Sequence, residues 1–233
     1  MQPTARTIPT GCGSLDKILK GGLHINDITL IYGEAETGKT SLAIQCSVNA
    51  TRLGLKAIFI DSDGTFSTRR LAQIAGHDVN EAATRILLIK PTTFQEQTLA
   101  IDRLDEYLTS QIGLVVIDAV TSLYRVEIEE PKDKTFNLNR ELGRQLACLA
   151  QIAKTRNVAM LLTSQVRSVL SEGHLKVEPV ATRVLRFWSD TVLNLKSSNH
   201  SNSLRVILEK NAKYDCSVTC YVSLEEKGIC DCR

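Results

Sequence analysis

DITLIYGEAETGKTSLAIQCSVNATRLG, residues 27–54, decides the architecture. It opens on a short β-rich apolar run that ends at Gly33. Leu42, Cys46 and Ala50 then recur at helical spacing before a stop at Gly54. Strand, loop, helix is the predicted order. The loop, GEAETGKT at 33–40, satisfies G-x-x-x-x-G-K-S/T at every defined position, which average residue usage produces by chance in about one chain in a hundred of this length. Between a strand and a helix N-terminus, successive backbone N–H groups converge on phosphate oxygens. Gly33 and Gly38 allow backbone angles and close approach that a side chain would block. Lys39 is expected to reach the β- and γ-phosphates, and the Thr40 hydroxyl to ligate Mg²⁺. With Glu34, Ala35, Glu36, Thr37 and Ser41 completing the loop, the segment predicts a site for a nucleoside triphosphate, read as ATP with Mg²⁺.

Outward from the loop, LKAIFIDSDG (55–64), RILLIKP (85–91), GLVVIDAVTS (113–122) and VAMLLTSQ (158–165) are continuous apolar runs, the mark of strands buried on both faces. TRRLAQIAG (68–76), FQEQTLAIDRLDEYLTS (94–110) and NLNRELGRQLACLAQIAKTRN (137–157) carry apolar residues at three and four spacing and predict crossover helices. Beyond residue 188, DTVLNLK, SLRVILEK and SVTCYVSLEE alternate and are joined by turn-like segments, which predicts antiparallel strands on one edge. The fold class is therefore α/β: a mostly parallel twisted sheet with helices on both faces, and sites at the carboxyl ends of its parallel strands. Residues 1–233 are read as a single domain.

Three strand ends add candidate chemistry. Asp118, closing GLVVID, suits the carboxylate that holds the metal, usually through water. Asp63 stands where a carboxylate would orient an attacking water, and Gln165 where an amide would sense the γ-phosphate. An Asx turn before Gly64 and a polar strand terminus account for the last two equally well.

Composition excludes several classes. The chain is 43% hydrophobic and 23% charged, without charge blocks, and so is neither disordered nor fibrous in composition. With 28 Lys plus Arg against 26 Asp plus Glu, the net charge of +2 decides nothing about nucleic acid. MQPTARTIPTGCGSLD lacks a signal-peptide core, and no apolar run is long enough to span a bilayer, so a cytoplasmic protein with no membrane partner is expected. Seven scattered cysteines argue against a disulfide framework. Cys12, Cys46 and Cys148 read as small buried hydrophobes, and Cys216, Cys220, Cys230 and Cys232 as strand and tail thiols whose spacing is wrong for zinc knuckles.

Six stretches in order, TGCGSLDKILKGGL (10–23), IYGEAETGKTSLAIQ (31–45), IFIDSDGTFSTRRL (58–71), LVVIDAVTSLYR (114–125), TSQV (163–166) and ILEKNAKYD (207–215), resemble the RecA-type recombinase family and, within it, the archaeal RadB-like paralogues of RadA. The resemblance implies a RecA-like ATP-binding core, a nucleotide completed at a protomer interface, and DNA loops after the Asp118 and Gln165 strands. By position, Lys39 and Thr40 resemble the phosphate and Mg²⁺ residues and Asp118 the metal-site aspartate. Arg70 is similar to the arginine that packs on adenine, and Gln165 to the glutamine that couples γ-phosphate to a DNA loop.

Departures from that pattern shape the functional expectation. RadA-like proteins carry a helix-hairpin-helix domain ahead of the core, whereas TGCGSLD begins here at residue 10, so no such domain is expected. MQPTARTIPT has no counterpart of the Phe and Ala polymerisation motif either. The family's catalytic glutamate falls at Asp63, shorter by one carbon–carbon bond of about 1.5 Å, and a misplacement on that scale costs roughly a hundredfold in rate. A weak DNA-dependent ATPase at most is therefore expected.

The two presumed DNA loops are mixed in sign. RVEIEEPKDKTFNLNR (125–140) supplies Arg125, Lys132, Lys134 and Arg140 among four acidic residues, and RSVLSEGHLKVEPVATRVLR (167–186) supplies Arg167, Lys176, Arg183 and Arg186. Modest, salt-sensitive binding is expected, to single-stranded rather than duplex DNA. Phe136, Phe187 and Trp188 read as core or interface packing, with base stacking as the alternative. The leading expectation is an ATP-binding accessory protein of recombination and DNA repair that regulates a RadA-type recombinase, with a junction nuclease as a further partner and a homodimer allowed. A strand-exchanging DNA-dependent ATPase and a KaiC-like regulatory ATPase stand as alternatives.

Overall fold

Continuous apolar strands require cover on both faces, and the computed structural model of the chain meets that requirement with one central nine-stranded sheet. It describes residues 7–128, 135–171, 174–198, 202–212 and 218–232, with the backbone alone for 167–179. In chain order the elements are β1 (Thr7–Ile8), α1 (Gly13–Ile18), β2 (Leu23–His24), β3 (Ile28–Gly33), α2 (Lys39–Arg52), β4 (Lys56–Asp61), α3 (Thr68–Ala75), α4 (Val79–Arg85) and β5 (Ile86–Ile89). Next come α5 (Phe94–Asp102), α6 (Leu104–Tyr107), β6 (Ile112–Asp118), α7 (Ser122–Ile128), α8 (Thr135–Arg156) and β7 (Ala159–Ser164). The chain continues through β8 (Val166–Ser171), β9 (His174–Pro179), α9 (Thr182–Trp188), β10 (Thr191–Ser197), β11 (Ser203–Asn211), β12 (Val218–Glu225) and β13 (Gly228–Asp231).

The sheet order is β13-β12-β11-β10-β3-β7-β6-β4-β5. From β10 to β5 every pairing is parallel, and from β10 to β13 every pairing is antiparallel. Side chains alternate between two cores, as a pleated strand requires. Ile31, Phe59, Val116 and Leu161 pack in one layer with Leu42 and Cys46 of α2 and Leu71 of α3. Leu30, Ile60, Ile117 and Leu162 pack in the other with Phe94 and Ile101 of α5 and Leu142, Leu146 and Leu149 of α8. β3, β4, β6 and β7 each contribute to both layers, which is why they read as unbroken apolar runs.

The mostly parallel sheet with helices on both faces agrees with the reading from sequence; several details do not. β10 was expected to be antiparallel like its successors, but it pairs parallel with β3, Thr191 opposite Thr29 and Leu195 opposite Gly33. Its central position buries Thr191–Leu195 despite their polar members, because hydrogen bonds satisfy Asn194 and Thr191 sits in the ladder. The helix expected at 94–110 is two, broken at Arg103. Segments read as DNA loops are largely regular in their described parts: α7 and the start of α8 in 125–140, and the antiparallel pair β8 and β9 followed by α9 in 167–186. Cys12 and Cys46 are buried, but Cys148 is only half-buried. Cys216 lies outside the described residues; Cys220 and Cys230 stand on β12 and β13, and Cys232 follows. Among the described residues no group of three or more His, Cys, Asp or Glu side chains could hold a metal ion, and no helix is long and apolar enough to cross a membrane.

Candidate functional site

The carboxyl ends of β3, β4, β6 and β7 lie side by side, with Asp61 opposite Asp118 and Tyr32 opposite Ser164. This edge is where an open parallel sheet places its ligands. Gly33 ends β3 there because nothing larger fits: a Cβ would stand 2.2 Å from the Leu195 carbonyl oxygen of β10. Thr37 Oγ1 donates to the Glu34 carbonyl at 2.8 Å and closes the loop. Gly38, at φ 79°, takes the left-handed conformation that delivers the chain into α2 at Lys39. The α2 N-terminus has no side-chain cap, which leaves its first N–H groups facing the cavity as donors for an anion.

Beside the loop opens a cavity of about 640 Å³, lined by residues from five parts of the chain: Gly38–Ser41, Asp63 and Thr65, Asp118 and Arg125, Gln165, and Leu224. Lys39 Nζ turns back on the loop, donating to the carbonyls of Gly33 at 2.9 Å and Glu34 at 2.6 Å. Burial pushes its pKa down, against the opposing charges of Asp118, Asp63 and Glu34.

Asp118 is 2% exposed. Its Oδ1 accepts from the Thr163 hydroxyl of β7, while Oδ2 is buried without a hydrogen-bond partner among the described residues. Burial raises its pKa, with the Thr163 and Thr40 hydroxyls opposing the shift. A buried carboxylate oxygen left unpaired is costly, and a divalent cation would satisfy it. The Asp118 carboxylate and the Thr40 hydroxyl form an all-oxygen donor set of the kind Mg²⁺ takes. The residues present thus fit that ion.

Asp61 shapes the turn that carries Asp63. Its carboxylate accepts the N–H groups of Thr65 at 3.0 Å and Phe66 at 3.2 Å. The N–H groups of Ser62 and Asp63 bond the Asp118 carbonyl at 2.7 and 3.1 Å, which locks the turn to the end of β6. Asp63 is thereby presented to Ser122 Oγ, which donates to Oδ1 at 2.6 Å, and to Gln165 Nε2, which donates at 3.1 and 3.2 Å to its two oxygens. Gln165 Oε1 in turn accepts from Arg125 Nη1 at 2.7 Å.

Arg70 sits on α3 at the flank of α2. It donates to Ser41 Oγ at 3.0 Å, to the Glu226 carbonyl at 2.7 Å and to the Glu225 carbonyl at 2.9 Å. Both carbonyls belong to the end and turn of the β12–β13 hairpin, whose Leu224 lines the cavity. Burial lowers the Arg70 pKa and Glu226 opposes the shift.

Among the described residues, the basic side chains assigned to DNA from sequence stand in different surroundings. Arg125 lines the cavity beside the 33–40 loop and also a second cavity of about 910 Å³, where Arg183, Thr135 and Asn139 are found. Arg140 lines a separate groove with Glu127 and Glu141. Arg186 is engaged: its Nη1 pairs with Glu209 at 2.7 Å, and Glu209 also accepts from Tyr32 and Asn194. Lys132 and Lys134 lie outside the described residues, and for Arg167 and Lys176 only the β8–β9 backbone is described. Phe136 and Phe187 are 74% and 75% exposed, so core packing is not their fate. Trp188 is half-buried and meets Phe187 edge to face.

Four contributors escaped the sequence reading. Thr163, two residues before Gln165 in the same quoted strand, and Ser122, four after Asp118, carried a weak signal as polar residues near strand ends. Asp61 was overshadowed by Asp63. Nothing local marks Leu224, which reaches the loop only through the pairing of β12 with β11 and β13.

A family model described as Rad51 matches residues 4–232. The DNA repair and recombination protein RadB of Methanosphaera stadtmanae is 35% identical over 206 residues, covering 88% of this chain and 87% of that protein. RadB of Methanococcoides burtonii is 30% identical over 229 residues, covering 98% of this chain and 100% of that protein. A solved structure described as a crystal structure of the RadB recombinase superposes with a TM-score of 0.83 at 30% identity, over 97% of this chain and 100% of that one.

Proposed function

This chain belongs to the Rad51 family, and from that premise we propose that it is a recombination and repair protein in which the 33–40 loop acts as an ATP-operated switch more than as an engine. The role that the relatives' names carry, DNA repair and recombination, supports the process. The membership favours the recombination readings over the KaiC-like one. Lys39 and the α2 N-terminus would bind the phosphates, and Thr40 with Asp118 would hold Mg²⁺, which when bound offsets phosphate charge. Arg70, fixed by two hairpin carbonyls and Ser41, would flank the base.

One observation carries the preference for occupancy over turnover. The Asp63 carboxylate, already a methylene shorter than glutamate, accepts hydrogen bonds from Ser122 and Gln165. A general base needs an oxygen aimed at the water it deprotonates; these donors take three of the roughly four acceptor sites of the carboxylate and aim it at Ser122 and Gln165. Slow hydrolysis follows, with nucleotide state reported through Gln165 to β8. The partners that suit such a module are single-stranded DNA, held modestly and in a salt-sensitive way, and a RadA-type recombinase. The test is capture of purified RadA-type recombinase by this protein with and without ATP and Mg²⁺. Capture that depends on nucleotide is expected. Capture indifferent to nucleotide, or rapid DNA-stimulated hydrolysis by the protein alone, would overturn the switch.

A further inference from the structure

Arg125 was grouped with the DNA-contacting cations because it opens the segment after the Asp118 strand, yet its described hydrogen bond lies in the nucleotide cavity. α7 begins four residues after Asp118, and Ser122 and Arg125 stand three apart on it, so they share one face. That face meets the site: Ser122 bonds Asp63 at 2.6 Å, and Arg125 bonds Gln165 at 2.7 Å.

The charge of the cavity makes this placement consequential. Among the described residues its charged lining is Glu36, Asp63 and Asp118 against Lys39 and Arg125. Lys39 already faces the charges of Asp118, Asp63 and Glu34. A polyanion entering here meets three carboxylates and two cations among the described residues, Arg125 being the second cation. Its hydrogen-bond partner is the neutral Gln165 amide. A guanidinium bond to an anionic phosphate oxygen is roughly twice as strong as one to a neutral acceptor, and its planar fork accepts two such oxygens together. A terminal phosphate beside Lys39 would therefore win the guanidinium from the amide.

Resting on the nucleotide-binding reading above, we propose that Arg125 is the residue by which this site distinguishes a nucleoside triphosphate from a diphosphate: its guanidinium leaves Gln165 for the terminal phosphate. The released Gln165 Oε1 loses its cationic donor while Nε2 keeps Asp63 within reach. Because Gln165 joins β7 to β8, and Arg125 and Val166 border both cavities, the exchange alters the wall of the second cavity at the same time. Arg125 is a nucleotide-sensing residue first, and any effect on DNA passes through the bound nucleotide.

The experiment measures affinities of the wild type, Arg125→Ala and Arg125→Lys by calorimetry, with Mg²⁺, for ADP and for a non-hydrolysable triphosphate analogue. A fluorescent single-stranded oligonucleotide is titrated alongside without nucleotide at fixed salt. Arg125 is exposed, and thermal melting verifies that both variants fold. Arg125→Ala should weaken triphosphate binding roughly ten- to a hundredfold, the worth of a hydrogen bond to a charged group, while ADP and nucleotide-free DNA affinities stay unchanged. Arg125→Lys should recover part of the loss. Equal loss for ADP and the triphosphate, or no loss for either, would overturn the assignment, and a loss of DNA affinity without nucleotide would return Arg125 to the DNA surface. A wild type that binds neither nucleotide would remove the functional reading itself, and Arg125's role with it.

Discussion

Gln165 Nε2 donates to both carboxylate oxygens of Asp63, at 3.1 and 3.2 Å, across 102 residues of chain. The pair connects the turn after β4 to the junction of β7 and β8, so in the proposed switch one carboxylate would both orient water and hold the amide that responds to the terminal phosphate. The two roles would then compete for one side chain.

Asp63→Glu should therefore raise ATP turnover, by up to roughly a hundredfold if carboxylate placement is the limit. Steady-state phosphate release with and without single-stranded DNA measures it, with Lys39→Ala as the variant that loses nucleotide affinity. A rate that does not change in Asp63→Glu rejects the placement argument.

Gln45 of α2 is buried and satisfies three backbone groups: Nε2 donates to the carbonyls of Thr10 at 2.8 Å and Ile229 at 2.9 Å, and Oε1 accepts the Ile229 N–H at 2.7 Å. Gln45→Ala should cost roughly 3 kcal/mol, because buried groups left unpaired each cost about 1–3 kcal/mol. A urea midpoint measures the loss. Since β13 then loses its tie to α2, protease cleavage near the β12–β13 turn should accelerate as well.

Asp231 acts as a cap supplied from a distance. It accepts from the N–H groups of Ser14 at 2.6 Å and Gly13 at 3.0 Å at the start of α1. The bonds from Ser14, with Cys12 and Gly13 adding to them, hold its pKa below the ordinary range. A depressed folded pKa means that the unfolded chain binds the proton more readily. The contribution is complete above the unfolded value near pH 4 and is lost as pH falls through the lower folded value. Asp231→Asn, which loses the charge and one of the two acceptor oxygens, should lower stability at pH 7 by about 0.3–1 kcal/mol, the scale of a carboxylate at a helix N-terminus, and should narrow that gap below pH 4. Urea midpoints of both proteins from pH 7 to pH 2.5 decide it; parallel curves would contradict the assignment.

Arg183 and Arg186 should separate. Arg183 is exposed beside the second cavity, whereas Arg186 is tied to Glu209, which also holds Tyr32 ahead of the phosphate loop. Arg183→Ala should weaken single-stranded DNA binding and reduce the salt slope by about 0.7, the value for one phosphate contact. Arg186→Ala should leave that slope alone and lower the melting temperature. The reverse pattern, read from salt titrations of an oligonucleotide, would place the DNA on Arg186.

By itself the sequence determined what is built from neighbours in the chain. The strand–loop–helix of 27–54 was legible because each of its signals lies within a few residues: glycines at both ends of the loop, a lysine and a threonine opening a helix, and apolar residues at fixed periods. The buried parallel sheet followed from unbroken apolar runs. The parallel partner of β10 was not legible, since alternation looks the same in a strand of either direction. Nor were the assignments of Arg125 to Gln165, of Asp63 to Ser122 and Gln165, or of Arg70 to the carbonyls of Glu225 and Glu226 some 155 residues away. Those contacts exist because strand order brings distant chain ends to one edge of the sheet, where a charged side chain takes whichever donor or acceptor the neighbouring strand supplies.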